Sequence, residues 1–227
     1  MLVQFFRDWQ TTIVNNFRRI IAVDPSLTAT GWAIFSIAKN APIHLGVIRP
    51  KGTEFPLSVR LHELQAQVSE LFSKINLSSE DILVCEGPAP LVKNPQSSLK
   101  VEHVRGIFET LARSFGAVVP GRINPRTIQR ELLGMKGRQL GRTQVKEWAR
   151  KTVEQLYGTL LPSIPIEDQK KTRAGLLSQD IVDALLIGTL AVSKTTMAIR
   201  TGDDVTLHFT ERTERGRRAN RGGYAAW

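Results

Sequence analysis

An α/β fold, a mixed sheet with helices on its faces, is predicted by three features of the sequence. Three short β-prone runs come first, between residues 20 and 50. Strand-length and helical apolar patterns then alternate to about residue 126, and helical patterns fill most of the rest to residue 194. The 227 residues, 41% of them apolar, suffice for one domain with a sizeable core and short appended arms.

The elements follow in order. Residues 1 to 19 read as an amphipathic or loosely ordered arm. Its apolar stretch is broken by Arg7 and Asp8 and has no small-residue cleavage site, so it makes a poor signal peptide. IIAVDPSLTATGWAIFSIAK has two apolar runs flanking a turn of Pro, Ser, Thr and Gly, the pattern of a hairpin with a long loop, and HLGVIRP supplies a third strand. Leu57, Leu61, Leu64, Val68, Leu71 and Phe72 recur at helical spacing, and DILVCEGP is a strand apolar on both faces, stopped by Gly87 and Pro88. Leu99, Val101, Val104, Ile107, Phe108, Leu111 and Phe115 mark a second helix, and AVVPGRI a further short strand. Asn124 and Pro125 can cap a helix over Arg126 to Leu133. The glycine-rich linker GMKGRQLG leads to a helix from about Thr143 to Tyr157, and a turn-rich connector, LPSIPIEDQKKTR, leads to the most apolar helical stretch, residues 176 to 194. The expected organisation is an arm (1–19), a five-stranded domain (20–200) and a basic, flexible tail (201–227) ending RTERGRRANRGGYAAW.

The charge balance narrows the function. A net charge of +10 favours polyanions, nucleic acid first and anionic membrane second. Twelve cations against five anions lie between Arg122 and Arg173, and no amphipathic membrane helix stands out there. No uninterrupted apolar run approaches the ~20 residues of a bilayer crossing, so a soluble protein with no membrane partner is expected. The single Cys85 excludes an internal disulfide and is expected as buried packing. His44, His62, His103 and His208 show no ligand spacing, and Trp148 and Tyr157 are expected in the core.

Four acids stand in apolar surroundings: Asp24 and Glu86 at strand ends, and Asp180 and Asp183 three apart on the last helix, hence on one face. Each has a plainer alternative: a turn cap for Asp24, emergence into water for Glu86, an exposed face for Asp183, a helix-dipole partner for Asp180. Were the two strands neighbours and the helix laid across their ends, the carboxylates would converge. Such a cluster requires protons or hard cations, of which magnesium is the obvious one.

In IIAVDPSLTATGWAIF, ILVCEGP and SQDIVDALLIGTLA these acids occupy motifs that resemble the metal-binding motifs of RuvC-type Holliday junction resolvases, in the ribonuclease H-like superfamily. The ordered resemblance runs from about Ile20 to Lys194 and implies a ribonuclease H-like five-stranded mixed sheet flanked by helices. It implies a Mg²⁺-dependent endodeoxyribonuclease that resolves junctions by paired nicks. Asp24, Glu86, Asp180 and Asp183 would be both catalytic residues and metal ligands, with two Mg²⁺ per site and Mn²⁺ able to substitute. Lys93, Asn94, Arg126, Arg130, Arg142 and Lys146 would bind DNA. The implied partners are a four-way junction, a second copy of the chain contacting through the helix from about Gln96 to Phe115, and branch-migration machinery. The implied location is the bacterial or phage-infected cytoplasm and nucleoid, with an organellar matrix as the other setting. The sequence departs from the family where an aromatic usually follows the strand-four Glu: here Glu86-Gly87-Pro88-Ala89-Pro90-Leu91 leaves Leu91 as the substitute wedge. The rival expectation is a non-catalytic RuvC-like DNA-binding or assembly module. A sugar-kinase-like ATP site is a third reading, and the second phosphate loop it needs is not found.

Overall fold

The structure is a computed structural model that describes residues 17–88, 95–135, 141–167 and 177–209. Its strands are β1 (Arg19–Asp24), β2 (Thr30–Ser36), β3 (Ala41–Ile48), β4 (Asp81–Glu86), β5 (Arg122–Ile123) and β6 (Ile166–Glu167). The helices are α1 (Leu57–Lys74), α2 (Pro95–Ser114), α3 (Pro125–Glu131), α4 (Arg142–Tyr157), α5 (Gln179–Thr201) and α6 (Val205–Phe209). The strands form one sheet in the order β5-β4-β1-β2-β3-β6. β1, β2 and β3 make an antiparallel meander, while β4 joins β1 in parallel, β5 joins β4 in parallel and β6 joins β3 in parallel.

Alternation along the central strands explains the layers. Ile20, Ala22, Phe35, Ile82 and Val84 face one side, where they pack with α3, α4, α5 and α6. Ile21, Val23, Trp32, Leu83 and Cys85 face the other, under α1 and α2. The base of the parallel pair is fixed by a fully buried carboxylate: Arg19 donates through Nε and Nη2 to Asp81 at 2.8 and 2.7 Å, and Ser78 N–H donates to the same group at 2.9 Å. A buried acid satisfied in this way can be tolerated in a sheet interior.

Three expectations are corrected. The sheet has six strands among the described residues, because the segment expected as an irregular connector contributes β6 beside Leu45 and Gly46. Its pairing is tertiary: Leu45 N–H donates to Pro165 O, and Glu167 accepts from His44 and Lys74. The expected tail is also ordered at its start. Gly202, at φ 73°, caps α5 in the left-handed conformation, and α6 folds back to bury Val205 and Phe209. Residues 210–227 and 1–16 lie outside the described residues. Trp148 is 44% exposed, whereas Tyr157 is buried and its hydroxyl meets Thr189 Oγ1 at 2.8 Å. α5 is long and apolar enough to cross a membrane by length and composition, but its apolar run is broken by charged residues and most of it is buried within the protein. It is the central helix of one face of the core.

Candidate active site

The sheet register brings the first two acids together. Residues of β1 pair with residues of β4 in a constant offset, Ala22 with Val84 and Val23 with Cys85, so Asp24 comes beside Glu86 where both strands end. By alternation both side chains continue the Ile20–Ala22 and Ile82–Val84 rows, the face covered by α5.

A glycine lets the helix come close enough to complete the cluster. Asp24 pairs across β2 with Gly31, and a Cβ at Gly31 would lie 1.9 Å from the backbone oxygen of Asp180. The first turn of α5 therefore rests on the backbone of β2, next to Asp24. Ser178 caps that turn by accepting from Ile181 N–H at 3.3 Å, which fixes where the helix begins.

The electrostatics follow from this crowding. Burial, then the Glu86, Asp183 and Asp180 charges, push the Asp24 carboxyl well above the usual carboxylate range, against a smaller opposing pull from Arg105. Burial and the Asp183 charge raise Glu86 to about 7, again opposed by Arg105. Burial raises Asp183 to about 6, aided by Asp180 and opposed first by a hydrogen bond from Gln179, then by Lys146 and Arg150. Asp24 thus feels the charges of the other three acids, and Asp183 interacts with Glu86 and Asp180 as well. As they stand, no three His, Cys, Asp or Glu side chains among the described residues are grouped so as to enclose one ion.

Two observations fit a hard divalent cation. The cluster offers carboxylate oxygens whose crowding raises their proton affinity, the situation a cation relieves. In addition, Gln179 donates through Nε2 to Asp183 Oδ1 at 2.9 Å, while its Oε1 is buried without a hydrogen-bond partner. An orphaned buried acceptor is costly, and a metal-bound water is a donor that could satisfy it.

Of the expected DNA-binding residues, Lys146 lies near enough to the acids to act on Asp183. Arg126, Arg130 and Arg142 are exposed on α3 and α4, with Arg130 Nη2 on Glu131 at 2.8 Å. Lys93, Asn94 and Leu91 lie outside the described residues. Sequence reasoning missed three residues. Gln179 grips Asp183, Arg150 donates to Leu177 O at 2.8 Å just ahead of α5, and Arg105 sits beneath Glu86. The motif SQDIVD could have flagged Gln179, since it lies four residues before Asp183. A cavity of about 470 Å³ beyond Gly87 is lined in part by Arg113 and Arg122, but both pair with Glu109, which weakens it as an anion site.

No protein-family model matches the chain. Curated relatives do. The crossover junction endodeoxyribonuclease RuvC of Rhodospirillum rubrum is 25% identical over 174 residues, 74% of this chain and 86% of the relative. That of a Wolbachia species is 34% identical over 95 residues, 39% of this chain and 54% of the relative. Among solved structures, T. thermophilus RuvC in complex with a Holliday junction substrate matches with a TM-score of 0.55 at 17% identity, covering 79% of this chain and 96% of that one. A yeast mitochondrial Holliday junction resolvase matches with a TM-score of 0.51 at 11% identity over 91% and 92% of the two chains.

Proposed function

We propose, from the premise that this chain is a relative of the RuvC endodeoxyribonucleases with their ribonuclease H-like fold, that it is a metal-dependent endonuclease resolving four-way DNA junctions by paired nicks. The observation that carries this is the convergence of Asp24, Glu86, Asp180 and Asp183 at one end of the sheet, from two strands and a helix brought together by the β1–β4 register and by Gly31.

Asp24, Glu86 and Asp183 would hold two Mg²⁺ ions, with Asp180 as fourth ligand or as a hydrogen-bonding support. Bound there, the metal supplies Lewis acidity at the scissile phosphate and a water acidic enough to attack it. The chain's own residues orient the reaction. Gln179 holds one oxygen of Asp183, fixing its rotamer. Lys146 and Arg150 flank the acids with positive charge and are suited to draw a phosphate into the cleft. Arg126, Arg130 and Arg142 extend that attraction along the backbone of a junction arm, and Lys93 and Asn94 would meet the branch point.

A junction with near two-fold symmetry is resolved cleanly by two sites on opposed strands, so the active form is proposed to be a symmetric homodimer in contact through α2. The bacterial relatives favour a cytoplasmic setting, and the DNA substrate proposed here would bring the protein to the nucleoid. Asp24→Asn and Glu86→Gln proteins should shift a synthetic four-way junction in a gel yet leave it uncut with Mg²⁺. Undiminished cutting by either refutes the assignment, and a wild-type protein that binds the junction but never nicks it establishes the non-catalytic alternative.

A further inference from the structure

We propose that Arg105 is a positioning residue of this site, a buried guanidinium strut that fixes the end of β4 and so sets where the Glu86 carboxylate stands for metal binding. The proposal deepens the nuclease reading and rests on it for its catalytic consequence.

Arg105 lies midway along α2 and is only 4% exposed. Removing a guanidinium from water costs several kcal/mol unless its donors are met, and here they are met by the strand that carries Glu86. Nε donates to the Glu86 carbonyl oxygen at 2.6 Å and Nη2 to the Gly87 carbonyl oxygen at 3.1 Å. Nη1 donates to Glu102 Oε1, one turn earlier on α2. The two carbonyls lie where β4 leaves the sheet, and Gly87 N–H makes the next contact there, to Ile123 O at 2.7 Å. The planar fork thus ties two successive peptide units to a helix.

Glu102 is held in turn. It also accepts from Arg122 Nη1 at 2.9 Å, and Arg122 reaches Glu109 through Nε at 2.7 Å and Nη2 at 3.2 Å. The strut is therefore braced from β5 as well as from α2. Lysine could keep the charge but lacks the rigid fork that spans two carbonyls and a carboxylate.

The test compares full-length wild type, Arg105→Lys and Arg105→Met, with Glu86→Gln as reference. It measures Mn²⁺ binding without DNA by calorimetry, junction binding in chelator by gel shift, the Mg²⁺ dependence of nicking, and melting temperature. For Arg105→Met, metal affinity should fall roughly 10- to 100-fold, the scale seen when supports around metal ligands are removed. Junction affinity in chelator should stay unchanged, nicking should recover at high Mg²⁺, and Arg105→Lys should fall between the two. Wild-type Mn²⁺ affinity in Arg105→Met overturns the proposal, as does a parallel loss of metal and junction binding that tracks a lower melting temperature. Should Arg105→Met not fold, Arg105→Lys decides: unchanged Mn²⁺ affinity overturns the proposal and weakened affinity supports it. A wild-type protein that binds Mn²⁺ but nicks no junction refutes the nuclease reading separately, because the metal titration is read without DNA.

Discussion

Burial and crowding raise Glu86 to about 7 and Asp183 to about 6, and push Asp24 well above the usual carboxylate range. The unfolded chain releases these protons near pH ~4. Between those limits unfolding releases protons, so the metal-free protein should lose stability as pH rises from about 4.5 through 6 and 7, where Asp183 and Glu86 ionise in the folded state. Below that window both states are protonated and the acids contribute nothing. Melting temperature measured in chelator from pH 5 to 8 should decline, Glu86→Gln should flatten part of the decline, and Mg²⁺ should reverse it by binding only the folded, ionised cluster. A flat profile in chelator would show that the acids are not crowded in solution. The lone thiol, Cys85, has its proton affinity raised by complete burial and should resist alkylating reagents until the protein unfolds.

At the scale of elements, α5 delivers two of the four acids, and its position depends on one glycine and one cap. Gly31→Ala places a methyl carbon against the backbone of Asp180, where no rotamer can relieve it. The cost should exceed the ~1–3 kcal/mol of ordinary overpacking, and metal binding should disappear even where circular dichroism shows residual fold. Ser178→Ala should cost about 1 kcal/mol in denaturant unfolding while leaving the acids in place. Much of this arrangement was legible in the sequence: the strand order of apolar runs, the helix periods, and the four acids at element ends all follow from local patterns. The parts that were not legible depend on tertiary contact. Arg105 reads as one more helix cation, and only packing against the end of β4 buries it. β6 has two residues, too few to show a period, and exists because β3 and Lys74 receive it. α6 was hidden in a segment of tail-like composition, where Phe209 is the side chain that anchors it, with Lys194 near its ring and donating to His208 O at 2.8 Å.

For the whole molecule, the +10 charge should make junction binding strongly salt-dependent. Replacing Arg126 and Arg142 together with Ala should lower the slope of log affinity against log salt by about 2, one for each phosphate left without its arginine. An unchanged slope would remove both from the interface. Leu99, 63% exposed on α2, offers an apolar contact for the proposed second copy. Leu99→Glu should shift sedimentation toward the monomer and leave single nicks in place of paired ones. The sheet itself offers little to such assembly, since among the described residues each rim closes with a strand of two residues and Glu167 on one of them is gripped by His44 and Lys74. An edge strand this short is a poor template for an incoming strand. Fibril growth from this protein should therefore wait on the peeling away of β6, and variants that cut the Glu167 tether should be the first to form thioflavin-positive aggregates on prolonged warming.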